Sequence, residues 1–559
     1  NSGTNLSVGA FTLEVSGTLD NNGTISIANS SSVVDVDGEY DATGGNTTFI
    51  AAGRLQLGET VTSLGTLTES TGTVEYDGGT QFVLAEDYYN LVIDQSGNKT
   101  AQGEINVAND MTISNSATFL TSNQTIDISG ATTVSATLDI GNGQFNSRGG
   151  FSATGNINFS HNGGKLNFFT VSPSSLGTLD NTQGTVDYES GANNVLSDDY
   201  PGLRINGGSA KTLQGDVNVA LDFKIDNTLN NELNIGNNTI TVTGTSDIDG
   251  TLDFNNGGTF DANGAFDATN GTVQFTGSGG NLKLGGATVT SLGNTLTEGT
   301  GTIEYDYAGN QTVKSETYYN LTINNGTGTK TAGGALDIDG DLTVTAGELA
   351  MGSNNADVAS GKTVNIDGTL SITSGTFTAN GPTDIDGTLS ITTTGVYDAD
   401  NTFTAASGTV NFDGNGFLRC NNTVTSLGTL STDNGTVEYD GGNQNVLADT
   451  YNNLEIDQAG TKTAQGTVTV NGTLTVQNTG LVIYDIAGTN TIVSGATTVN
   501  HTDASNSGTI KLTTGTYEAD GTTDINGKLT IHGTGIYDAD NSFDATGSTV
   551  EFTSTGGTL

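Results

Sequence analysis

Tryptophan is absent from this 559-residue chain, proline occurs three times, methionine twice and cysteine once. The lone Cys420 cannot close an internal disulfide, so any stability in an oxidising compartment must come from packing or ions. It reads as a small buried side chain rather than a nucleophile. Cations are nearly as scarce: 15 Lys and Arg against 61 Asp and Glu leave a net charge of −46. Phosphate recognition needs clustered cations that displace counterions, so nucleic acid is excluded as a partner. No run approaches ~18 apolar residues, which excludes membrane insertion of this segment by a helix. The three histidines, His161, His501 and His532, fall at unrelated positions, so neither a Ser-His-Asp set nor a histidine metal site can be assembled. Glycine is everywhere, yet no phosphate-binding loop with its terminal Lys-Ser/Thr follows a strand.

What is present is Gly, Thr, Asn, Asp and Ser, with 81 glycines and 33% hydrophobic residues. Such a make-up borders on disorder, but the apolar residues here recur at fixed spacings. Ser63-Leu64-Gly65 returns as Ser175-Leu176-Gly177, Ser291-Leu292-Gly293 and Ser426-Leu427-Gly428. Behind each copy follow Val74-Glu75-Tyr76, then Tyr88-Tyr89, then Lys99-Thr100. The counterparts are Val186-Asp187-Tyr188, Tyr200 and Lys211-Thr212; Ile303-Glu304-Tyr305, Tyr318-Tyr319 and Lys330-Thr331; and Val437-Glu438-Tyr439, Tyr451 and Lys462-Thr463. Long repeats therefore begin near 63, 175, 291 and 426. Such long intervals exceed one supersecondary unit and imply a shorter repeat inside.

That shorter repeat is a hexad. Ile248, Phe254, Phe260 and Phe266 are six apart, as are Ile385, Ile391, Tyr397 and Phe403, and Ile525, Ile531, Tyr537 and Phe543. Phe145 and Phe151 make the same step. Three hexads make one turn, which places Phe266 one turn above Ile248. Alternation such as Ile385-x-Gly387-x-Leu389-x-Ile391 points apolar groups to one side and Asp386, Thr388 and Ser390 to the other. The expected fold is all-β: a parallel β-solenoid, or β-helix, of about 18–23 residues per coil with three short strands per coil and no helical domain. The interval from 291 to 426 exceeds its predecessor by one coil, and residues 365–373 are repeated almost unchanged as 384–392. A one-dimensional stack accepts insertions in units of a turn. Residues 550–559 match a stretch that elsewhere precedes a Ser-Leu-Gly element, and the first residue is Asn1 rather than Met. The expectation is one continuous solenoid over 1–559, a window of a longer array with both ends cut in mid-repeat.

Carboxylates are the only chemistry in quantity. Asp337-Ile338-Asp339-Gly340-Asp341 imitates a calcium loop, but Leu342 stands where that loop needs glycine, and Ile338, Leu342 and Val344 mark a strand. Asp-x-Asp pairs remain at Asp35/Asp37, Asp247/Asp249, Asp384/Asp386, Asp398/Asp400 and Asp538/Asp540. The last four pairs are candidate low-affinity Ca²⁺ contacts set against the plainer reading of a solvated acidic surface. No catalytic or cofactor-binding residues can be named, and no cofactor is required. Some β-solenoids cleave polysaccharides with clustered carboxylates and a basic group in a groove, but Arg54, Arg148, Arg204 and Arg419 are scattered. A solenoid does not itself define an activity.

The train at 435–475, Gly-Thr-Val-Glu-Tyr-Asp through Val-Asn-Gly-Thr-Leu-Thr-Val, resembles repeats of giant secreted bacterial surface adhesins, including those of gliding bacteria. The resemblance implies an extracellular fibre or stalk. The expected function is thus structural and adhesive: a rigid acidic rod at a bacterial cell surface, not an enzyme. Its expected partners are other rods, along or beside it, and surface polysaccharide. The alternatives are a carbohydrate-active β-helix enzyme or polysaccharide-binding module, and an ice-binding solenoid suggested by Thr239-Ile240-Thr241-Val242-Thr243. The last needs a flat Thr-x-Thr face in every coil, whereas the hexad series carries Asp and Asn there.

Overall fold

A computed structural model describes residues 3–227, 230–503 and 506–553. Every regular element among them is a β-strand, and the strands form parallel sheets stacked as a β-solenoid of about 27 turns. The one antiparallel pairing among the described residues sets His501–Asp503 against Asn506–Leu512. The chain divides into two compact units, one of Asn1–Leu282 with Thr290–Gly299 and one of Lys283–Val289 with Thr300–Leu559.

In the first unit, one wall runs parallel through Thr12–Val15, Val33–Val36, Arg54–Leu57, Thr73–Tyr76, Asn90–Ile93 and Met111–Ile113. In the second unit, Thr376–Ala379, Val396–Ala399, Phe417–Cys420, Thr436–Tyr439 and Asn453–Ile456 do the same. Alternate residues of each strand face inward, so Val34, Val36, Leu55 and Leu57 are buried and the residues between them face out. Cys420 lies in this interior with no exposure, and burial pushes its thiol far up.

The Ser-Leu-Gly element is a corner. Its leucine is buried in all four copies. The serine hydroxyl accepts the glycine N–H, at 3.0 Å for Ser63 and Gly65 and 3.1 Å for Ser426 and Gly428. Gly65 and Gly428 have φ of +68° and +64°, and a Cβ on either would lie 2.2 Å from a carbonyl oxygen of the previous coil. Both the backbone conformation and the close approach require glycine. Other corners are tied upward by side chains. Asn320 Oδ1 accepts Asp341 N–H at 2.9 Å, and Asp341 Oδ1 accepts Thr363 N–H at 2.8 Å.

The inserted coil is confirmed in register: Asn365 pairs with Asp384, Leu370 with Leu389 and Ile372 with Ile391. Coil length and hexad register each depart from the expected pattern. Register spacings run from 17 residues, as Thr73 to Asn90, to 26, as Asn490 to Thr516, beyond the expected range at both ends. The longest coils hold the antiparallel pairing of His501 with Ser507 and Asp503 with Asn506. In the hexad series, Phe266 stacks on Ser246 rather than Ile248. Likewise Phe403 stacks on Thr383 and Phe543 on Thr523. Each of these coils is longer than three hexads, because the inward position under the last aromatic is a hydroxyl residue two places before the isoleucine. Phe145, Phe151, Phe260, Phe266, Tyr397 and Phe403 are buried as the hexads require, with edge contacts between neighbours such as Phe260 and Phe266, centroids 6.1 Å apart. Phe543 is only half-buried.

Candidate functional site

The structure scatters most of the Asp-x-Asp candidates. Asp35 stacks between Glu14 and Gln56 on one wall. Burial, and then Asp37 and Glu14, raise its carboxyl above the ordinary range. Asp247 and Asp249 both meet Lys224, whose Nζ lies 2.8 Å from Asp249. That hydrogen bond holds Asp249 below the usual carboxylate range. Asp384, Asp386, Asp538 and Asp540 lie at separate places along the second unit. Asp247 and Asp249 end a charged ladder that runs through Lys224, Asp226 and Arg204 to Asp187 in the first unit, and Asp398 and Asp400 belong to a carboxylate-rich assembly in the second.

That assembly is a ladder on one wall of the second unit, where Asp398, Arg419, Glu438 and Glu455 are successive register partners. Asp400, Asp440 and Asp457 lie two residues further on, each just past the end of the same strand. Arg419 Nε donates to Glu438 at 2.9 Å. Ligand oxygens of Glu438, Glu455 and Asp457 lie within 4.8 Å of one another. Burial first, and then the neighbouring Glu455, push Glu438 up to about 7. Burial and Asp398 push Asp440 up to about 6. Among the described residues, the oxygens of Glu438, Glu455 and Asp457 could hold a hard divalent cation. Sequence reasoning missed these three residues, since only strand register brings them together.

The carboxylate of the Val-x-Tyr strand is buried in every long repeat, at 4, 2, 6 and 6% exposure for Glu75, Asp187, Glu304 and Glu438. Each faces a cation on a neighbouring coil: Arg54 at 2.5 Å, Arg204 at 3.4 Å, Lys283 at 3.3 Å and Arg419 at 2.9 Å. Three of the four arginines that looked scattered in the sequence therefore hold comparable posts. Arg148 instead binds Asp127 at 2.6 Å.

The coil that begins at this strand has a polar interior. Tyr76 and Tyr88 share a hydroxyl hydrogen bond of 2.9 Å across it, and Tyr88 donates to Leu84 O at 3.0 Å. Tyr188 with Tyr200, Tyr305 with Tyr318 and Tyr439 with Tyr451 repeat the pair at 2.9, 3.1 and 3.1 Å. Tyr88 and Tyr318 point inward while Tyr89 and Tyr319 stay partly exposed, as alternation demands. Lys99, Lys211, Lys330 and Lys462 have no exposure. Their ammonium groups donate to backbone carbonyls, such as Gln95 O at 2.7 Å and Tyr307 O at 2.8 Å. Burial lowers all four, Lys211 and Lys462 to about 8. Lys462 stacks on inward Gln444, whose amide donates to Cys420 O and Asn422 O at 2.7 and 2.6 Å.

A groove of about 560 Å³ opens beside Gln444, lined by Asn421, Asn443, Asn445, Thr461 and Thr463. Its lining carries no charge, and Glu438 lies outside it. Outward threonines do form short ladders, Thr369, Thr388, Thr409 and Thr429 over four coils and Thr251, Thr272 and Thr295 over three, but they adjoin Glu348 and Glu232. His161 and His501 are exposed and His532 half-buried. No family model, curated protein or solved structure matches the chain.

Proposed function

We propose that this chain is a structural length of an extracellular, adhesin-like protein, a non-catalytic acidic rod or stalk at a bacterial surface. The observation that carries the reading is the coil-on-coil stacking within each unit, whose residues go into strand pairing and a side-chain-filled interior. The β-solenoid fits a structural repeat protein, and the charge of −46 keeps such a surface solvated. On this reading the partners are further rods and surface polysaccharide, and calcium bridges carboxylates at low affinity. The experiment is immuno-electron microscopy of native cells with antibody against the second unit. Label on surface fibres is expected, and label confined to the cell interior overturns the proposal. An enzymatic role would instead require new reducing ends or unsaturated sugars after incubation with acidic and neutral polysaccharides, and none are expected.

A further inference from the structure

Two of the three walls break once in each long repeat whose surroundings lie within a single unit. At the first, Val61–Ser63 and Thr66–Thr68 pair only with the coil below, while Gln81–Val83 and Asp87–Tyr88 pair only with the coil above. Thr73–Tyr76 alone pairs in both directions. The second repeat has the same break: Asn194–Val195 and Asp199–Tyr200 start new ladders, and Thr185–Tyr188 alone continues from Lys165–Phe168 to Gly202–Ile205. In the second unit Val424–Ser426 and Thr429–Leu430 end their ladders, Gln444–Val446 and Thr450–Tyr451 begin others, and Thr436–Tyr439 carries through.

These breaks coincide with the shortest register spacings, Thr73 to Asn90, Thr185 to Gly202 and Thr436 to Asn453. At two of them a glutamine replaces backbone pairing. Gln81 reaches down to Leu57 O and Glu59 O at 2.7 and 2.5 Å, as Gln444 does to Cys420 O and Asn422 O. The tyrosine pair, by contrast, ties its coil to itself. Its second hydroxyl donates to a carbonyl four residues earlier, and the first accepts the N–H of that same residue. In the coil after each break a buried lysine on backbone carbonyls sits among apolar side chains, as Lys99 does beside Leu91, Ile93 and Ile105. Coupling between coils is thereby lowest at these positions and cohesion within the coil is kept, which in a nearest-neighbour fold divides the stack into blocks.

We propose that the Val-x-Tyr coils are mechanical joints at which the solenoid yields first under tension, so that it gives way in blocks of one long repeat. This deepens the structural reading above and rests on it for its biological purpose, though not for its physics. The test is force spectroscopy on the full chain held by its two ends. The first two joints begin at Thr73 and Thr185. Lengthening events of one such block, roughly 110 residues, should release about 370–400 Å of chain each, at ~3.3–3.6 Å per residue. A series of ~70 Å events, the length of single coils, or one event for the whole chain, would overturn the proposal. Hydrogen exchange on the unmodified chain gives a second readout. Amides of Thr66–Thr68 and Gln81–Val83 should exchange at least about tenfold faster than those of Val364–Ile366 and Thr383–Ile385. Equal rates overturn it. Gln444→Ala should lower the force of one event only, and unchanged forces in all events would count against the joint. Failure of surface labelling would leave event length and exchange untouched, so the two proposals fail separately.

Discussion

Among single residues, the buried ionisable groups make opposite demands on pH. Asp187 is raised to about 6 by burial, Asp440 to about 6 and Glu438 to about 7. A carboxyl whose folded value exceeds its unfolded one binds its proton more tightly when folded. Its contribution is complete below the unfolded value and is lost as pH rises through 6 to 7. Melting temperature should therefore fall between about pH 4.5 and 7.5, and Glu438→Gln should flatten part of that slope in a calorimetric pH series. Lys211 and Lys462, lowered to about 8, act the other way, adding stability as pH rises from about 8 towards the unfolded lysine value near 10.4. Tyr451→Phe removes the donor to Leu447 O and should cost about 1–3 kcal/mol, read by denaturant unfolding. Neither the burial of these carboxylates nor the inward course of the lysines was legible in the sequence. A lysine reads as solvent-facing, and the fourfold Lys-Thr recurrence marked a position without revealing its direction.

Strands and coils were far more legible, because an alternation of period two and a hexad of aromatics are local signals. The departure from the hexad register at Phe266 has a local cause too. The residue beneath it is Ser246, and beneath Phe403 it is Thr383, whose hydroxyl shares a 2.8 Å hydrogen bond with Tyr397. An inward hydroxyl leaves no apolar mark to count, whether an aromatic hydroxyl satisfies it, as at Thr383, or none among the described residues does, as at Ser246. The interrupted ladders were hidden for a different reason, since pairing partners are set by the fold and not by the strand's own residues. Because Asn365 stacks under Asp384, deleting residues 366–384 removes one coil and preserves every register below and above. Circular dichroism should remain that of the parent and cooperative melting should persist, whereas deleting half a coil at the same place should abolish folding. Phe266→Ala should cost about 3–5 kcal/mol, with faster hydrogen exchange confined to the adjoining coils.

For the molecule as a whole, charge acts over the longest range. Outward carboxylates on successive coils lie only ~4.8 Å apart, where like charges repel even at a surface dielectric. Sodium screens that repulsion, while calcium can also bridge carboxylates such as Glu438, Glu455 and Asp457. Calcium should therefore raise the melting temperature, or increase scattering by bundles, beyond sodium chloride of equal ionic strength, and a chelator should reverse it. Identical titrations would leave the carboxylates as a solvated surface. A last consequence comes from the wall on which each Val-x-Tyr strand lies. In the first unit Thr73–Tyr76 belongs to the sheet of Asn90–Ile93, and Thr185–Tyr188 to the different sheet of Lys165–Phe168. The intact strand at a joint acts as the pin of a hinge, and the two pins within this unit sit on different sides. Its successive hinges then swing in different planes, as the crossed pins of a universal coupling do, so a sideways load from any direction finds one that can give.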